Sequence, residues 1–488
     1  MAKCTAVIDL GSNSVRMVIF EKTSRYGFHL LHEEKSRVRI SEAAYQNGGT
    51  LQTPAINRTI AALNNFVSIT QAFKVRKILF VATSAVRDAS NAQEFIKMVK
   101  LQTGLQMKVI DGDKEAYYGA MACANLLVIK KSVTIDIGGG STECACVEGN
   151  VVNESYSLKL GTVRLKELYF DHNDLNGAQK YIDEQLALLP LHDECDVVGI
   201  GGTFRAIAKL LMKRTNYPLN KVHGFSCKSD IFLDFINDIL EAKDENALKA
   251  LGIKKERLDV IKPGALILRS LLKHFGAKSI MSSGVGVREG VYLHDLLRNN
   301  KDRFPHNFNP SVRYLLDTYQ NEPKQSNRLA ILSQELFDLL AVPLALKNKH
   351  KKALLTASRL TTVGADLYFY AQQEYAYYLL KASLEYGFSH KEIMLIATLV
   401  RYQNKKLPAK SHREKYAQLL PNDHVLEHLS FLLQLSRILL SHYPQNIDFT
   451  LTFKADTLYV TAKRTALYLA QEQIKNLDLP ADLKITFN

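Results

Sequence analysis

The chain has 488 residues, 47% of them hydrophobic and 23% charged, which is the balance typical of a globular protein. Its length exceeds what one hydrophobic core can hold, so we expect two to four domains, and no apolar run reaches the roughly 18–20 residues that a membrane span needs. The formal net charge of +14 favours polyanionic partners, which include nucleic acid, phosphate chains, nucleotides and acidic membranes.

The first residues of the chain and its composition argue against some of these classes of partner. Residues 1–10 run directly into an apolar strand, without the basic and then apolar leader of a signal peptide, so we expect a cytoplasmic protein that binds no membrane. The six cysteines form no C-x-x-C pair, which argues against a metal or redox role for them. The chain has no Trp, no zinc-finger spacing and no aromatic RNA-binding strand, and this argues against nucleic acid as the partner.

The first 300 residues alternate short apolar runs with segments of helical periodicity. In residues 1–123 we predict a helix at 54–73, a strand at 77–83, a helix at 91–103 and a strand at 107–110, and a helix at 114–126 leads into the second repeat. Residues 124–300 follow the same plan, with strands predicted at 132–137, 144–149, 196–201 and 278–283. This alternation predicts two α/β domains, 1–123 and 124–300, each with a mixed or mostly parallel sheet covered by helices.

The composition changes near residue 300. Residues 298–310 are polar and contain two prolines, so we predict a linker there. Residues 301–442 are helical for most of their length. The last segment, 443–488, is predicted as a small α+β unit with strands at 448–455, 457–462 and 483–488.

One pattern occurs twice in the chain. Residues 8–21 read IDLGSNSVRMVIFE and residues 135–148 read IDIGGGSTECACVE, so that an offset of 127 aligns Asp9 with Asp136. Each copy is a strand ending in an aspartate, a Gly/Ser-rich turn and a second strand. The backbone N–H groups of such a turn bind phosphate oxygens, and the aspartates are placed to hold a divalent cation. A matched pair predicts two similar half-domains that face each other across one cleft.

Two later glycine turns also follow apolar strands. Gly202 and Thr203 precede a helix that contains Arg205, and Gly284 precedes a helix that opens near Arg288. This arrangement directs a helix N-terminus at an anion. The glycines are not in G-x-G-x-x-G register and the P-loop pattern is absent, so neither a Rossmann fold nor a P-loop is indicated.

Four further charged residues are candidates for binding phosphate or for catalysis on it. Arg87 and Arg164 follow short polar turns, and the planar guanidinium suits phosphate, although each pattern is also that of a surface arginine. Glu143 follows the second glycine turn, and Glu115 lies at the start of a helix. A carboxylate near a bound phosphate accepts a proton from attacking water, whereas many glutamates at helix starts only complement the helix dipole.

Seven motifs give the sequence a resemblance to a known family. It resembles the exopolyphosphatase / guanosine pentaphosphate phosphohydrolase (Ppx/GppA) family, densely over residues 5–300 and loosely beyond them, in the ordered segments VIDLGSNSVRMVIF, ATSAVRDASN, IDGDKEA, DIGGGSTE, LGTVRL, GIGGTFRA and SSGVGVREG. The resemblance implies an α/β fold of two duplicated actin-like (ribonuclease H-like) domains with a cleft between them. It also implies a mostly helical, HD-like C-terminal domain that ends in the small α+β segment.

The resemblance implies roles for the candidate residues. Glu115 would activate water, Arg87 would clamp the terminal phosphate, and Asp136 and Glu143, together with Asp9, would hold Mg²⁺ or another divalent cation. The resemblance, which adds Gly161 and Thr162 to the turns and helix starts, implies this phosphate-binding set: Gly11, Ser12, Asn13, Ser14, Gly138, Gly139, Gly140, Ser141, Thr142, Gly161, Thr162, Arg164, Gly202, Thr203, Arg205, Gly284 and Arg288.

The activity that the resemblance implies is hydrolysis of a phosphoanhydride. The enzyme would release the terminal phosphate of inorganic polyphosphate, of guanosine pentaphosphate (pppGpp), or of both, with guanosine tetraphosphate as a further ligand and a homodimer as its assembly. Two alternatives stay open: a phosphotransferase (kinase) of the same superfold, and a non-catalytic sensor of guanosine alarmones or other polyanions. Long family members carry histidines where residues 372–377 read QQEYAY, so we expect no second metal centre.

Overall fold

Two β-sheets, each containing one copy of the repeated pattern, build the first part of the chain in the computed structural model. The structure describes residues 3–190, 194–320, 323–463 and 467–488. The chain divides into two units, Met1–Phe308 and Asn309–Asn488.

The first sheet has five strands in the order β3-β2-β1-β4-β5. Its strands are β1 (Lys3–Leu10), β2 (Val15–Lys22), β3 (Phe28–Ser36), β4 (Lys77–Ala82) and β5 (Met107–Val109), and its helices are α1 (Thr53–Ala72), α2 (Ser84–Arg87), α3 (Ala92–Thr103) and α4 (Gly112–Leu126). Strands β1 and β2 pair antiparallel, with Asp9 opposite Arg16, and β1 pairs with β4 in parallel.

The second sheet has six strands in the order β10-β11-β9-β6-β7-β8. Its strands are β6 (Lys131–Ile137), β7 (Thr142–Glu148), β8 (Val151–Leu158), β9 (Asp196–Ile200), β10 (Ser226–Lys228) and β11 (Ser279–Ser282). Strands β6 and β7 pair antiparallel, with Asp136 opposite Glu143, and β6 pairs with β9 in parallel. The two copies of the repeat therefore form the same hairpin at the same place in their sheets.

Seven helices accompany the second sheet within the described part of the first unit. They are α5 (Thr162–Leu168), α6 (Leu175–Leu186), α7 (Gly201–Arg214), α8 (Ser229–Glu241), α9 (Glu245–Ala250), α10 (Ile261–His274) and α11 (Val287–Leu297). Each sheet has its own hydrophobic core. Ile8 and Phe66 are fully buried in the first core, and Ile135 and Phe204 in the second. Burying a side chain of this size stabilises the fold by about 1.5–3 kcal/mol, so each half has substantial support of its own.

Helix α4 carries Glu115 and connects the two halves. Asp111 caps it, because its carboxylate accepts a hydrogen bond of 2.7 Å from the Lys114 backbone N–H. Ala120 and Ala124 of α4 cluster with Ala145 of β7, so the helix packs on the second sheet and runs across the predicted boundary at residue 123. The boundaries predicted for the two α/β domains stay predictions.

The second unit is mostly helical and ends in a small sheet. Its elements are α12 (Pro310–Tyr319), α13 (Pro323–Leu340), α14 (Lys351–Leu360), α15 (Gln372–Ser383), α16 (His390–Arg401), α17 (Lys410–Lys415), α18 (Asp423–Leu439), β12 (Phe449–Lys454), β13 (Thr457–Ala462), α19 (Tyr468–Ile474) and β14 (Lys484–Phe487). The three strands pair in the order β12-β13-β14. None of the described helices combines the length and the apolar character needed to cross a bilayer.

The predicted fold class is confirmed: two mixed sheets with helices are followed by a helical region with a small β segment. Three strands, β3, β8 and β10, were not predicted. All three are edge strands, and β3 and β8 expose many of their side chains. An edge strand open to water lacks the continuous apolar run that identifies a buried strand, so its sequence (HEEK in β3, NES in β8) gives little signal.

Candidate active site

The two repeated turns meet face to face. In both turns a glycine N–H donates to the carbonyl of a serine three residues later: Gly11 to Ser14 at 3.2 Å and Gly138 to Ser141 at 2.9 Å. A Cβ on Gly139 would lie 2.8 Å from the Ser12 Cβ, so only glycine lets the two turns approach this closely. The convergence predicted from the repeat is therefore present in the structure.

A cavity of about 170 Å³ opens at this meeting point. Most of the residues selected from the sequence line it, namely Asp9, Gly11, Ser12, Asn13, Ser14, Glu115, Asp136, Gly138, Gly139, Ser141, Glu143, Gly202, Arg205 and Arg288. The cavity is smaller than the roughly 300–1,000 Å³ of sites for drug-sized molecules. Its small size and polar wall suit the terminal group of an anionic ligand.

Glu115 lies in the wall of this cavity and is held by Arg87. The Arg87 Nη1 donates to Glu115 Oε2 at 3.1 Å and to the Ile110 carbonyl at 3.0 Å. Burial, and next the negative charge of Glu143, raise the pKa of Glu115 well above its ordinary value, although Arg87 opposes the shift. A raised pKa makes the ionised carboxylate a stronger base, which is the property a proton acceptor needs.

Three more carboxyl groups share the cavity. Burial raises the pKa of Asp9, although Arg288 and Arg16 oppose the shift. Burial, with the charge of Asp9 as a smaller contribution, raises the pKa of Asp136 to about 6. Burial raises the pKa of Glu143 to about 8, although it accepts a 3.0 Å hydrogen bond from Ser157 Oγ. Burial is the largest cause of the raised pKa in all four carboxyl groups, and the charge of another member adds to it for Glu115, Asp136 and Glu143.

The acidic side chains of the cavity are the residues available to bind the predicted divalent cation. Among the described residues, no three His, Cys, Asp or Glu side chains are grouped closely enough to form a ready-made metal site. Mg²⁺ is usually held by only one or two carboxylates, with waters and substrate phosphates as its other ligands. Asp9, Asp136 and Glu143 line one cavity, and burial, the first cause of their raised pKa values, penalises the carboxylate forms that a bound cation would stabilise. The donor set fits such a cation, and the ligand set stays a prediction.

The pKa of Glu143 leads to a prediction about stability. Its value rises from 4.5 to about 8 on burial, so between these pH values the folded protein binds more protons than the unfolded chain. The free energy of unfolding should therefore fall as the pH rises from about 4.5 to about 8. Urea unfolding at pH 5 and pH 8 should show the wild type losing stability relative to Glu143→Gln over this interval.

The control for this comparison is Glu148→Gln, which changes an exposed glutamate at the end of the same strand. Its stability difference from the wild type should be the same at both pH values. A Glu143→Gln difference that is equally independent of pH would contradict the raised pKa of Glu143.

Three arginines face the four carboxyl groups. Arg16, Arg205 and Arg288 line the cavity. Arg205 Nη1 donates to the Gly284 carbonyl at 2.9 Å, and Arg288 Nη1 donates to Glu33 Oε1 at 2.8 Å. Burial and the nearby arginines lower the pKa of Arg16 to about 10, which records the cost of crowding cations in one place. A bound polyanion would remove that cost and would accept charge-assisted hydrogen bonds.

Sequence reasoning missed Arg16, Thr83 and Ser84, which also line the cavity. Arg16 had a signal: the offset of 127 aligns it with Glu143, and it pairs with Asp9 as Glu143 pairs with Asp136. Ser84 lies three residues before Arg87 in a motif already selected, and its Oγ is 3.3 Å from Ser12 Oγ. The lining residue Gly201 has a φ of +83°, and a Cβ there would collide with Asp136 Oδ1, so this position requires glycine.

Other selected residues do not line the cavity: Arg87, Gly140, Thr142, Gly161, Thr162, Arg164, Thr203 and Gly284. Thr162 shows the reason, because its backbone N–H donates at 3.0 Å to the Gly138 carbonyl. Thr142 Oγ1 likewise donates to the Leu160 carbonyl. Both groups hold the second turn, and the phosphate contacts predicted for these residues stay predictions.

A second cavity adjoins the first, and a third adjoins the second. Ser141 lines both the first cavity and a second of about 220 Å³, which Arg87 and Lys159 also line. Lys159 in turn lines a third cavity of about 330 Å³ together with Arg164, whose Nε donates to the Gly140 carbonyl at 2.8 Å. We call these three the phosphate track. The track contains the cationic side chains of Arg87, Lys159 and Arg164 together with the acids Asp88 and Asp113, and Arg164 pairs with Asp88 at 2.8 Å.

The sequence profile described as the Ppx/GppA phosphatase family matches residues 18–299, and the profile described as Ppx/GppA phosphatase, domain III, matches residues 309–482. The chain is similar to a crystal structure of the Aquifex aeolicus Ppx/GppA family member, with 29% identity and a TM-score of 0.54, over 62% of this chain and 99% of that one.

Two other relatives bear on the fold and on length. A crystal structure of an exopolyphosphatase from Cytophaga hutchinsonii is 23% identical, with a TM-score of 0.55, over 62% of this chain and 100% of that one, and shows the fold alone. A bifunctional 3-dehydroquinate synthase/phosphatase of Fusobacterium nucleatum is 30% identical over 299 residues. This match covers 57% of the chain but 44% of that relative, so the chain spans less than half of its length.

Proposed function

Because the chain belongs to the Ppx/GppA phosphatase family, we propose that it hydrolyses phosphoanhydrides and releases the terminal phosphate of inorganic polyphosphate, of pppGpp, or of both. The observation that carries this proposal is the placement of Glu115. Its carboxylate is bonded to Arg87 and lies in a cavity whose wall contains both repeated turns and three arginines. A proton acceptor beside an anion-binding cavity is what hydrolysis of a phosphate chain requires.

The proposed reaction is an in-line displacement by water. A water oxygen bonds to the terminal phosphorus while the bond from that phosphorus to the bridging oxygen breaks. One water proton passes to Glu115, and the shortened chain leaves with its charge on the former bridging oxygen. Such transfers pass through a loose transition state, so positioning and electrostatics supply most of the rate enhancement.

The remaining residues bind and orient the anion. The guanidinium groups of Arg16, Arg205 and Arg288 would pair with phosphoryl oxygens, and the N–H groups of the two turns would bind the others. Arg87 would keep Glu115 ionised and in place. Asp9, Asp136 and Glu143 would hold a divalent cation such as Mg²⁺, which when bound supplies positive charge for the phosphoryl oxygens.

The phosphate track supports polyphosphate as one substrate. A linear chain with its terminal phosphate near Glu115 would pass the cationic groups of Arg87, Lys159 and Arg164. The same first cavity would accept the triphosphate end of pppGpp. Since both substrates end in a phosphoanhydride, one catalytic centre serves either.

Substrate preference is tested by measuring orthophosphate release from long-chain polyphosphate and from pppGpp in parallel, at one enzyme concentration and with Mg²⁺ varied. We expect release from at least one of them, and dependence on the cation. Loss of polyphosphate that requires ADP and yields no free phosphate would instead identify a kinase. Tight binding of pppGpp without release of phosphate would identify a sensor.

The track predicts a selective effect of Lys159, whose side chain is exposed. Lys159→Gln should raise the KM for long-chain polyphosphate by roughly 2–5-fold, because one exposed cation contributes about 1 kcal/mol or less to holding the chain. The KM for inorganic triphosphate should change less, since a short chain ends before the track does. Steady-state kinetics on both substrates measures the difference.

Lys243→Gln is the matched control, because Lys243 is an exposed lysine that lies outside the three cavities. It should leave both KM values unchanged. Equal increases for the long and the short substrate in Lys159→Gln would show that the chain does not follow the track.

A further inference from the structure

A separate cavity of about 700 Å³ lies within the second unit, and its walls come from residues between Tyr319 and Asn476. It shares no residue with the candidate active site or the phosphate track. Its volume falls in the range of about 300–1,000 Å³ that small-molecule sites occupy. We call it the C-terminal cavity, and the function proposed above assigns it no role.

The C-terminal cavity contains one arginine. Arg437 donates through Nη1 to the Gln403 carbonyl at 3.0 Å and to Asn404 Oδ1. Burial lowers the pKa of Arg437. Within the described ranges no carboxylate forms an ion pair with it, and its Nε and Nη2 donate no hydrogen bond. The guanidinium is therefore a partly buried positive charge with donors to spare, in a wall that also contains Asp366. Such a group suits an anion such as phosphate.

Two polar atoms in the same wall also lack partners. Gln403 is 1% exposed, and its Oε1 has no hydrogen-bond partner among the residues that the structure covers. The Ser441 Oγ is likewise buried without a partner there. Buried polar groups in folded proteins are normally satisfied, so each such group calls for an explanation. A bound polar ligand, reached by a small rotation of these side chains, supplies one.

Aromatic rings and amide side chains complete the wall. Phe369 is 67% exposed and Tyr443 is 64% exposed, and both line the cavity. Exposed ring faces of this kind stack on the flat faces of nucleic-acid bases. Gln372 and Asn476 add amides that make no side-chain hydrogen bond within the described chain. An amide presents a donor and an acceptor together, which matches the edge of a base.

We propose that the C-terminal cavity binds a nucleotide. The phosphate pairs with Arg437, the base stacks on Phe369 or Tyr443, and the base edge bonds to the amides. A single class of ligand thus accounts for the unpaired arginine, the unsatisfied amide and hydroxyl, and the exposed rings. The proposal does not depend on hydrolysis in the first unit.

The test is isothermal titration calorimetry of the full chain with ADP and with GDP, in EDTA so that no cation-dependent turnover interferes. We expect saturable binding of at least one of them. Arg437→Gln should weaken it by tenfold or more. Arg359→Gln, which removes an exposed arginine of the same unit outside the cavity, should leave it unchanged.

A second variant separates binding from folding. Gln403→Leu removes a buried amide whose oxygen has no protein partner, so the melting temperature should stay the same or rise while nucleotide binding falls by several-fold. A fall in both would give Gln403 a structural role only and would count against the proposal.

Three results would overturn the proposal. The first is the absence of saturable binding by either nucleotide. The second is binding that Arg16→Gln abolishes and Arg437→Gln leaves intact, because the nucleotide would then occupy the cleft of the first unit. The third is competition by inorganic phosphate alone, or by adenosine and guanosine alone, that equals competition by the nucleotides, because the ligand would then not need both parts.

Discussion

Replacing Glu115 with glutamine is expected to lower kcat for phosphate release by roughly 10²–10⁴-fold, the usual contribution of a general base. The amide keeps the size of the side chain and an oxygen that accepts from Arg87 Nη1, so the cavity should keep its shape. The glutamine amide cannot take a proton from water at neutral pH. The KM should change little, because Glu115 binds no phosphate in the proposed reaction. Steady-state kinetics on polyphosphate or pppGpp measures both quantities.

The matched control is Glu94→Gln, which changes an exposed glutamate in α3. Its kcat should equal that of the wild type. The pH profile gives a second readout, since the limb that reports ionisation of Glu115 should disappear in Glu115→Gln. Turnover of Glu115→Gln at the wild-type rate would remove Glu115 from the mechanism.

Arg205→Met is expected to lower kcat/KM by roughly 10²–10³-fold, by analogy with removal of one charged or oriented donor from a site where negative charge develops. Burial of the guanidinium, and next the charge of the nearby Arg288, lower the pKa of Arg205. Its Nη1 bonds only the Gly284 carbonyl among the described residues. Methionine keeps much of the apolar stem, so removing a crowded cation should leave the stability of the empty protein unchanged or higher. Activity and stability should therefore move in opposite directions.

Arg214→Met controls for this substitution on the same helix, α7. Arg214 is exposed and pairs with Asp238 at 2.8 Å. Its loss should change the free energy of unfolding by about 0.5 kcal/mol or less and leave kcat/KM unaltered. Thermal unfolding and kinetics of both variants give the comparison. If Arg205→Met loses stability and activity together, Arg205 supports the fold and its phosphate contact is refuted.

The expected effects of Glu115→Gln and Arg205→Met have one cause, which is the crowding of opposite charges in the cavity. Four carboxyl groups and three arginines share a volume of about 170 Å³, and the pKa values of all four carboxyl groups are raised. Each group alone would be more stable in water. The arrangement is costly without a ligand, and such cost is typical of sites that bind a charged substrate and a cation. A site of this kind agrees with the phosphatase family to which the chain belongs.

The repeated pattern shows how far the sequence could predict the site. Alignment of Asp9 with Asp136 predicted that two turns converge, and Ser12 does lie against Gly139. The order of seven motifs predicted the Ppx/GppA family, which the family comparison confirms. Fold class followed from the same evidence. The roles of Glu115 and of the metal ligands stay predictions until activity is measured.

The sequence by itself determined the elements whose signal is local: the apolar strands, the glycine turns and the acidic residues that follow them. It could not show that the Thr162 N–H donates to the Gly138 carbonyl, that Arg16 enters the same cavity as Arg205, or that Arg437 lines a cavity of the second unit. Those facts depend on distances between residues far apart in the chain. Only the packing of two sheets and a helical unit fixes such distances, because charge, burial and hydrogen bonding act through space and not along the sequence.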